Sequence, residues 1–287
     1  MMNRLDFIVR LSAAVPAMTA FRGFSWDDDE ALCKKKFDVA VSLSLRRKPI
    51  NDVIVAMGKT FLGTEYLAHA LEVPGEERLV VNMSGLDCVS FYENALVFAR
   101  CVKMKRTTFD EYKQQLQLIR YRGGVIDGYL SRLHYTTDYI FDNVKKGVWK
   151  DVTGEIGGVP YIKTINFMST HPESYRQLRE NPLLVKSIRS LEDEISERKK
   201  FYVPKDRVKD LQEKIHSGDI LGVTTDIDGL DTSHTGIAVR ENGELRLMHA
   251  PIAGSKVQIT EKTLADYLAG NKRQTGIIVA RALEPQA

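Results

Sequence analysis

The stretch from Ser84 to Val102 constrains the fold most, because a glycine-containing turn leads there into a strongly apolar segment. Apolar residues recur in this segment at helical spacing on two faces, one with Val89, Tyr92, Leu96 and Ala99 and the other with Phe91, Ala95, Phe98 and Val102. A helix that is apolar on more than one face must lie inside a core. The sequence therefore predicts a buried helix around which the rest of the chain packs.

Asp87 precedes the predicted helix and is the natural residue to cap its first turn. Cys88 then lies in the first turn, where unpaired N–H groups and the positive end of the helix dipole favour a thiolate over a thiol. Cys88 is accordingly a candidate nucleophile. The alternative is that Asp87 only caps the helix and Cys88 only fills space, since free cysteine is among the most buried residue types.

The order of the predicted elements indicates an α+β fold. Capping signals and apolar periodicity predict helices at about 26–44, 52–62 with Asn51 as its cap, 108–121, 138–146, 181–200 and 206–215. A β-like run covers 161–168, and the last third of the chain predicts strands at about 220–224, 235–240, 244–249, 256–259 and 276–282, with one helix at about 264–268. Helices that come first and a mostly antiparallel sheet that comes last suggest that the early helices cover one face of the sheet.

A hairpin in the last third brings two histidines together. The Asn-Gly dipeptide inside Glu241–Glu244 favours a two-residue type I′ turn, in which the two glutamates face each other. In that register His249 lies opposite Gly236, and His234 points to the same side of the sheet because side chains alternate with period two. Such diagonal neighbours lie roughly 7–8 Å apart at the backbone, within reach of a hydrogen bond between the rings.

The histidines allow other interpretations. Each could be a satisfied strand-end residue, or both could bind a metal together with Asp231. No close-spaced ligand motif is present, so we predict no metal site and no cofactor. A dyad of Cys88 and His234, oriented by a third polar residue, accounts for more of these features together.

Charge and cysteine content exclude some classes of protein. Lys+Arg 41 against Asp+Glu 38 gives a net charge of +3, which is too balanced to indicate a nucleic-acid partner. Cys33, Cys88 and Cys101 include no CxxC pair, so neither a zinc cluster nor a disulfide framework is indicated. No later segment is long and apolar enough to predict a membrane span.

The N-terminal residues 1–24 carry arginines ahead of a short apolar run, 11–20. That order predicts either a secretory signal, which we favour, or a flexible tail. The rest, 25–287, shows no internal repeat and no low-complexity linker, and its length suits one large domain.

The chain contains Gly63-x-x-Tyr66, Asp87-Cys88 at a helix start, His234-x-Gly236-Ile237 on one strand and His249-Ala250 on the next. These motifs and their order resemble those of the NlpC-type papain-like cysteine peptidases and amidases of bacterial cell-wall metabolism. A second set of motifs comprises Asp87-Cys88-Val89-Ser90-Phe91-x-Glu93, Ser131-Arg132-x-His134-Tyr135, Asp142-Asn143 and the histidine hairpin. Within that superfamily, this second set looks like the N-acetylmuramoyl-L-alanine amidase-like branch.

The resemblance covers nearly everything from about Ile50 onward and implies a papain-like fold. It implies Cys88 as nucleophile, His234 as base and His249 as the third member that orients the base. The candidate substrate-binding residues are Tyr66, Asp87, Arg132, His134 and Tyr135. The guanidinium of Arg132 could bind a peptide carboxylate bidentately, although a surface arginine that solvates a helix is the alternative.

Because the interval from cysteine to histidine exceeds that of minimal domains, we expect a mainly helical insertion at about 103–200 in a single catalytic domain.

The implied reaction is hydrolysis of the amide between N-acetylmuramic acid and L-alanine in muropeptides or peptidoglycan fragments. The chain departs from the family pattern at two places. Val89-Ser90 follows Cys88 where Ser-Gly is commoner, and Pro251 replaces a frequent Ser, which bears on a hydroxyl contact there but not on the dyad. A γ-D-glutamyl-diamino-acid endopeptidase and a non-catalytic envelope-binding protein are the alternatives. If residues 1–24 are a secretory signal, we expect the protein in the envelope or periplasm. If they are not, we expect it in the cytoplasm. The sequence gives no indication of the oligomeric state.

Overall fold

The computed structural model describes residues 26–252 and 255–286, so the predicted signal or tail at 1–24 lies outside the described residues. The α-helices are α1 (Trp26–Ser42), α2 (Ile50–Lys59), α3 (Cys88–Met104), α4 (Phe109–Arg120), α5 (Thr136–Lys145), α6 (Phe167–Thr170), α7 (Arg176–Glu180), α8 (Pro182–Glu197), α9 (Val208–Leu211) and α10 (Leu264–Ala269). Short 3-10 helices lie at Leu45–Arg47, Arg122–Gly124, Tyr129–Ser131, Pro172–Ser174, Lys205–Arg207 and Gln212–Lys214. Within the described ranges, no helix is both long and apolar enough to cross a membrane.

The strands are β1 (Glu65–Tyr66), β2 (Gly85–Leu86), β3 (Trp149–Asp151), β4 (Val159–Pro160), β5 (Phe201–Pro204), β6 (Ile220–Thr225), β7 (Thr232–Glu241), β8 (Glu244–His249), β9 (Gln258–Ile259) and β10 (Gln274–Ala282). The main sheet has the order β4-β5-β10-β6-β7-β8-β9, each strand antiparallel to its neighbours, and β3 pairs antiparallel with β10. β1 and β2 form a separate parallel pair. This architecture confirms the predicted α+β fold with a mostly antiparallel sheet.

The early helices cover one face of the sheet, as predicted. α3 is buried without interruption from Ser90 to Val102 and shares one core with α1, α2, α4 and α5. Ile237 and Val239 of β7 belong to that core, whereas Ala238 packs in a second core with Leu264 and Leu268 of α10. The sheet is therefore covered on both faces.

The hairpin between β7 and β8 has the predicted register, with Glu241 paired to Glu244 and Ile237 to Met248. Asn242 and Gly243 have φ angles of 52° and 83°, as a type I′ turn requires. These pairs place His249 beside Gly236, where an added Cβ would lie 2.8 Å from the carbonyl oxygen of Met248 and 3.1 Å from the Cβ of His249.

Some predicted elements differ from those in the structure. Asn51 is not a cap, because α2 begins one residue earlier and the Asn51 side chain donates hydrogen bonds to the Ser217 carbonyl and the Asp219 carboxylate. The β-like run at 161–168 is wrong. There the backbone N–H of Ile165 donates to the side chain of Ser196 on α8 rather than to a strand. The helix expected at 206–215 is broken into α9 and two 3-10 turns.

The segment at 103–200 is mainly helical, but β3 and β4 join the main sheet. β4 pairs with β5 and β3 with the end of β10. The segment expected as an insertion thus helps to build the sheet. The domain boundaries stay a prediction.

A buried ion pair connects three helices of the first core. The side chain of Glu93 on α3 is fully buried, and Arg120 of α4 donates to it from Nε at 3.1 Å and from Nη2 at 2.6 Å. Tyr139 of α5 donates its hydroxyl to the same carboxylate at 2.8 Å, and Arg120 Nη1 donates to the carbonyl of Val80. The position of α3 is therefore fixed by polar contacts as well as by apolar packing.

We expect Arg120→Met to lower the free energy of unfolding by about 3–5 kcal/mol, because it leaves the Glu93 carboxylate buried and unpaired. Denaturant unfolding measures this loss. The control is Lys150→Met, which breaks an exposed pair with Glu155 and should cost no more than about 1 kcal/mol.

The double variant Glu93→Leu/Arg120→Met removes both charges, so it should be less destabilised than Arg120→Met alone. A loss in Arg120→Met no larger than that in the Lys150→Met control would contradict this account of the pair.

Candidate active site

Cys88 is the first residue of α3, and Asp87 caps the helix as predicted. Asp87 Oδ1 accepts hydrogen bonds from the backbone N–H groups of Val89 at 3.0 Å and Ser90 at 2.7 Å. Ser90 Oγ in turn accepts from the N–H of Asp87 at 2.9 Å, which completes a capping box. The cap holds Cys88 at the positive end of the helix dipole.

Thr235 of β7 connects the cysteine to the histidine strand. Its hydroxyl donates to the backbone carbonyl of Cys88 at 2.9 Å. Because His234 directly precedes Thr235, this bond places the histidine position next to the start of α3. Cys88 itself is buried, with 3% of its surface exposed.

The predicted histidine pair is present. His234 Nε2 lies 2.7 Å from His249 Nδ1, and the two rings are nearly perpendicular at 79°. Tyr267 of α10 packs edge to face against His249, with 5.5 Å between the ring centroids. Burial lowers the pKa of His249 to about 4, so this ring is neutral near neutral pH. A neutral His249 can accept a hydrogen bond from His234 without taking its proton.

A cleft that is open to solvent lies beside the start of α3. Val89 lines it directly after the cysteine, and Thr232 lines it two residues before His234. The five predicted substrate-binding residues also line it: Tyr66, Asp87, Arg132, His134 and Tyr135. Residues distant in sequence therefore share one cavity.

Arg132 is not a surface arginine, since only 4% of its surface is exposed. Its Nη2 lies 2.7 Å from Glu72 Oε1, its Nε lies 3.3 Å from Glu77 Oε1, and its Nη1 donates to the carbonyl of Leu71. The alternative of a solvating surface side chain is wrong. Binding of a substrate carboxylate by Arg132 stays a prediction. The carboxylates of Glu72 and Glu77 already pair with the same guanidinium.

The polar groups of Tyr135 and His134 are also engaged. The Tyr135 hydroxyl donates to Glu192 Oε1 at 2.5 Å and accepts from the N–H of Met168 at 2.8 Å. His134 Nε2 lies 3.0 Å from the carbonyl oxygen of Tyr129, and a carbonyl can only accept, so the ring proton is on Nε2. Burial and the charge of Arg132 lower the pKa of His134 to about 3. His134 is therefore neutral, with Nδ1 as an acceptor.

Sequence reasoning missed Thr235 and Tyr267. Thr235 could be found only once the packing of β7 against α3 was known, and no motif marks Tyr267 in its short helix. Within the described ranges, no three His, Cys, Asp or Glu side chains are grouped so that they could hold an ion. The fold and the cleft define an α+β protein with a capped cysteine and a histidine pair beside one cavity.

The family model described as N-acetylmuramoyl-L-alanine amidase-like (AmiA-like) matches residues 56–277, and the chain belongs to this family. This match confirms the family predicted from the motifs. No curated protein matches the chain.

Solved structures of similar proteins share the fold of this chain. An N-acetylmuramoyl-L-alanine amidase from Bacteroides uniformis is 36% identical, with a TM-score of 0.77 over 80% of this chain and 98% of that one. A Bacteroides fragilis protein, whose name proposes a xylanase, is 39% identical, with a TM-score of 0.74 over 78% of this chain and 98% of that one. A Legionella pneumophila protein at 21% identity shares the fold, with a TM-score of 0.67 over 90% of this chain and 95% of that one.

The low pKa of His249 makes stability depend on pH. Below an ordinary histidine pKa of 6.5 the unfolded chain binds a proton that the folded His249, with a pKa of about 4, does not. Stability should therefore fall as the pH drops from about 6.5 to 4. In His249→Asn we expect the free energy of unfolding to fall by roughly 3 kcal/mol less over this pH range. Denaturant unfolding at each pH measures the difference.

His216→Asn, at an exposed position, is the control for the loss of a histidine. A wild-type slope in His249→Asn would contradict the neutral state of the buried ring.

Proposed function

We propose that the chain is a cysteine-dependent hydrolase of NlpC-type papain-like fold. Its reaction is cleavage of the amide between N-acetylmuramic acid and L-alanine in muropeptides or peptidoglycan fragments. The observation that carries the proposal is the His234–His249 hydrogen bond, next to the helix that begins with Cys88. The family and the amidase from Bacteroides uniformis support the substrate class.

In the first half of the reaction, the thiol of Cys88 gives its proton to His234. Nε2 of His234 is bonded to His249, so Nδ1 is the nitrogen that serves the thiol. The thiolate attacks the carbonyl carbon of the lactyl amide and forms a tetrahedral intermediate. The imidazolium of His234 then protonates the alanine nitrogen, the C–N bond breaks and a thioester remains on Cys88.

In the second half, His234 takes a proton from water, and the resulting hydroxide attacks the thioester. The C–S bond then breaks, the imidazolium of His234 returns its proton to the sulfur and restores the Cys88 thiol, and the muramic acid carboxyl group releases its proton to solvent and leaves as a carboxylate. The helix dipole and the backbone N–H of Cys88 stabilise the oxyanion that forms in each half. His249 stays neutral and orients the ring of His234.

A substrate derived from peptidoglycan favours action in the cell envelope or periplasm. The signal-like order of residues 1–24 supports this location. If the protein acts in the cytoplasm instead, its substrates are small peptidoglycan fragments that reach that compartment.

Cys88→Ala should abolish hydrolysis, whereas Cys33→Ser and Cys101→Ala should retain most of it. Both control thiols lie in the core, where burial raises the pKa of Cys33 to about 12 and also raises that of Cys101. They stay protonated near neutral pH, so iodoacetamide should label Cys88 first, as read by mass spectrometry. Full activity in Cys88→Ala, or labelling of Cys88 as slow as that of the controls, would exclude the thiolate mechanism.

Incubation with a muramoyl tetrapeptide tests the bond that is cleaved. We expect release of the whole peptide with L-alanine at its new N-terminus, detected by mass spectrometry. The free tetrapeptide should be inert, because binding energy from the sugar contributes to the transition state. A cut after D-glutamate, or equal turnover of the sugar-free peptide, would favour the endopeptidase instead. Binding without turnover of either substrate would favour the non-catalytic protein.

A further inference from the structure

The loop between β1 and β2 forms part of one wall of the cleft. Residues 67–79 of this loop consist of turns, bends and irregular backbone, and we call them the wall loop. Ala68, His69, Leu71 and Glu72 of the wall loop line the cleft. The backbone N–H of Glu72 donates to the carbonyl of His69 at 3.0 Å, which closes one turn. Irregular backbone takes its other partners from side chains or water, so the shape of the loop depends on contacts with other segments.

The guanidinium of Arg132 contacts the wall loop at three places. Nη1 donates to the carbonyl of Leu71 at 3.1 Å, and Nη2 donates to Glu72 Oε1 at 2.7 Å. Nε lies 3.3 Å from Glu77 Oε1. Arg132 itself lies outside the loop, between α4 and α5. One side chain therefore connects the middle of the wall loop to another part of the fold.

Two further side chains from outside the wall loop contact it. The hydroxyl of Tyr121, at the end of α4, lies 2.8 Å from Glu77 Oε1. Arg176 of α7 donates from Nη2 to the carbonyl of Val73, and Tyr175, directly before Arg176, also lines the cleft. These contacts hold the wall loop on both sides of its bend.

The same contacts leave little of the Arg132 guanidinium for a ligand. Bidentate binding of a carboxylate needs two N–H groups on one edge of the guanidinium, and each of the three nitrogens already contacts the wall loop. Only 4% of the surface of Arg132 is exposed. A substrate carboxylate would also meet the negative charges of Glu72 and Glu77, which repel it.

We propose that Arg132 is a positioning residue, which acts on the substrate through the wall loop and does not itself bind a substrate carboxylate. This inference rests on the proposed function and specifies how one side of its substrate cleft is held. Without the guanidinium, the carboxylates of Glu72 and Glu77 lose the cation that they share. The wall loop is then no longer held where it lines the cleft, and charged and uncharged ligands lose the same wall.

Hydrogen exchange tests the effect on the wall loop directly. In Arg132→Met we expect the amides of residues 67–79 to exchange about tenfold faster than in the wild type, because local opening costs less free energy. Mass spectrometry of peptides from this loop measures the rate. An unchanged rate would overturn the proposal.

Arg122→Met is the matched control for hydrogen exchange. It removes an arginine from an ion pair with Asp138, and Arg122 lies outside the described lining of the cleft. The wall loop should exchange at the wild-type rate in this variant. Equal acceleration in Arg122→Met and Arg132→Met would overturn the specific role of Arg132.

A second test distinguishes positioning from direct binding of a carboxylate. It uses Cys88→Ala, which should bind substrate without turning it over, and a muramoyl dipeptide with glutamate at its second position. The comparison ligand carries both carboxylates as amides. In titration calorimetry, adding Arg132→Met should weaken both ligands by the same factor, about tenfold, which corresponds to about 1.4 kcal/mol. A loss confined to the acid ligand, or no loss for either ligand, would overturn the proposal.

Arg132→Lys keeps the proposal testable if Arg132→Met fails to fold. Lysine keeps the positive charge, but its single ammonium group lacks the planar fork that reaches three partners. We expect faster exchange of the wall loop and equal weakening of the two ligands, each smaller than in Arg132→Met. Wild-type exchange and wild-type affinities in Arg132→Lys would overturn the proposal.

Turnover of a muramoyl tetrapeptide by the wild-type chain separates this inference from the proposed function. Faster exchange of the wall loop in Arg132→Met, with no hydrolysis by the wild type, would support the positioning role and overturn the amidase reaction. Hydrolysis by the wild type, with unchanged exchange in Arg132→Met, would overturn the positioning role alone.

Discussion

The carboxylate of Glu93, buried on α3 and bonded to Arg120, fixes the rotation and height of the helix that begins with Cys88. An unpaired charge at this depth would cost several kcal/mol, so helices α3, α4 and α5 keep the one arrangement in which Arg120 and Tyr139 both reach it. Glu93 lies little more than one helical turn from Cys88. Any shift of α3 that broke the pair would also move Cys88, whose carbonyl is bonded to Thr235 of β7.

The two layers of the protein meet at the site through β7. Ile237 and Val239 face the layer that contains α3, whereas Ala238 faces the layer that contains α10. Thr235 holds the start of α3 from the first side, and the histidine pair contacts Tyr267 of α10 on the second. The candidate site thus depends on the register of one strand, and the Asn-Gly turn sets that register.

Features with local causes were predictable from the sequence. The Asp87 cap and the β7–β8 hairpin each depend on groups a few residues apart. The contacts that could not be predicted join distant segments. The sequence around Arg132 does not indicate that Glu72 and Glu77 pair with its guanidinium. The sequence at 161–168 does not indicate that Ser196 accepts a hydrogen bond from the backbone there. Five residues of the cleft could be named in advance, but the hydrogen-bond partners of their side chains could not.

The hairpin also determines when the site can exist. Ribosomes synthesise the chain from its N-terminus, so the segment that forms α3 is complete long before His249 is added. Until β8 has emerged and paired with β7, no nascent chain holds the pair of imidazoles. The candidate site is therefore completed late in synthesis, by the closing of one hairpin.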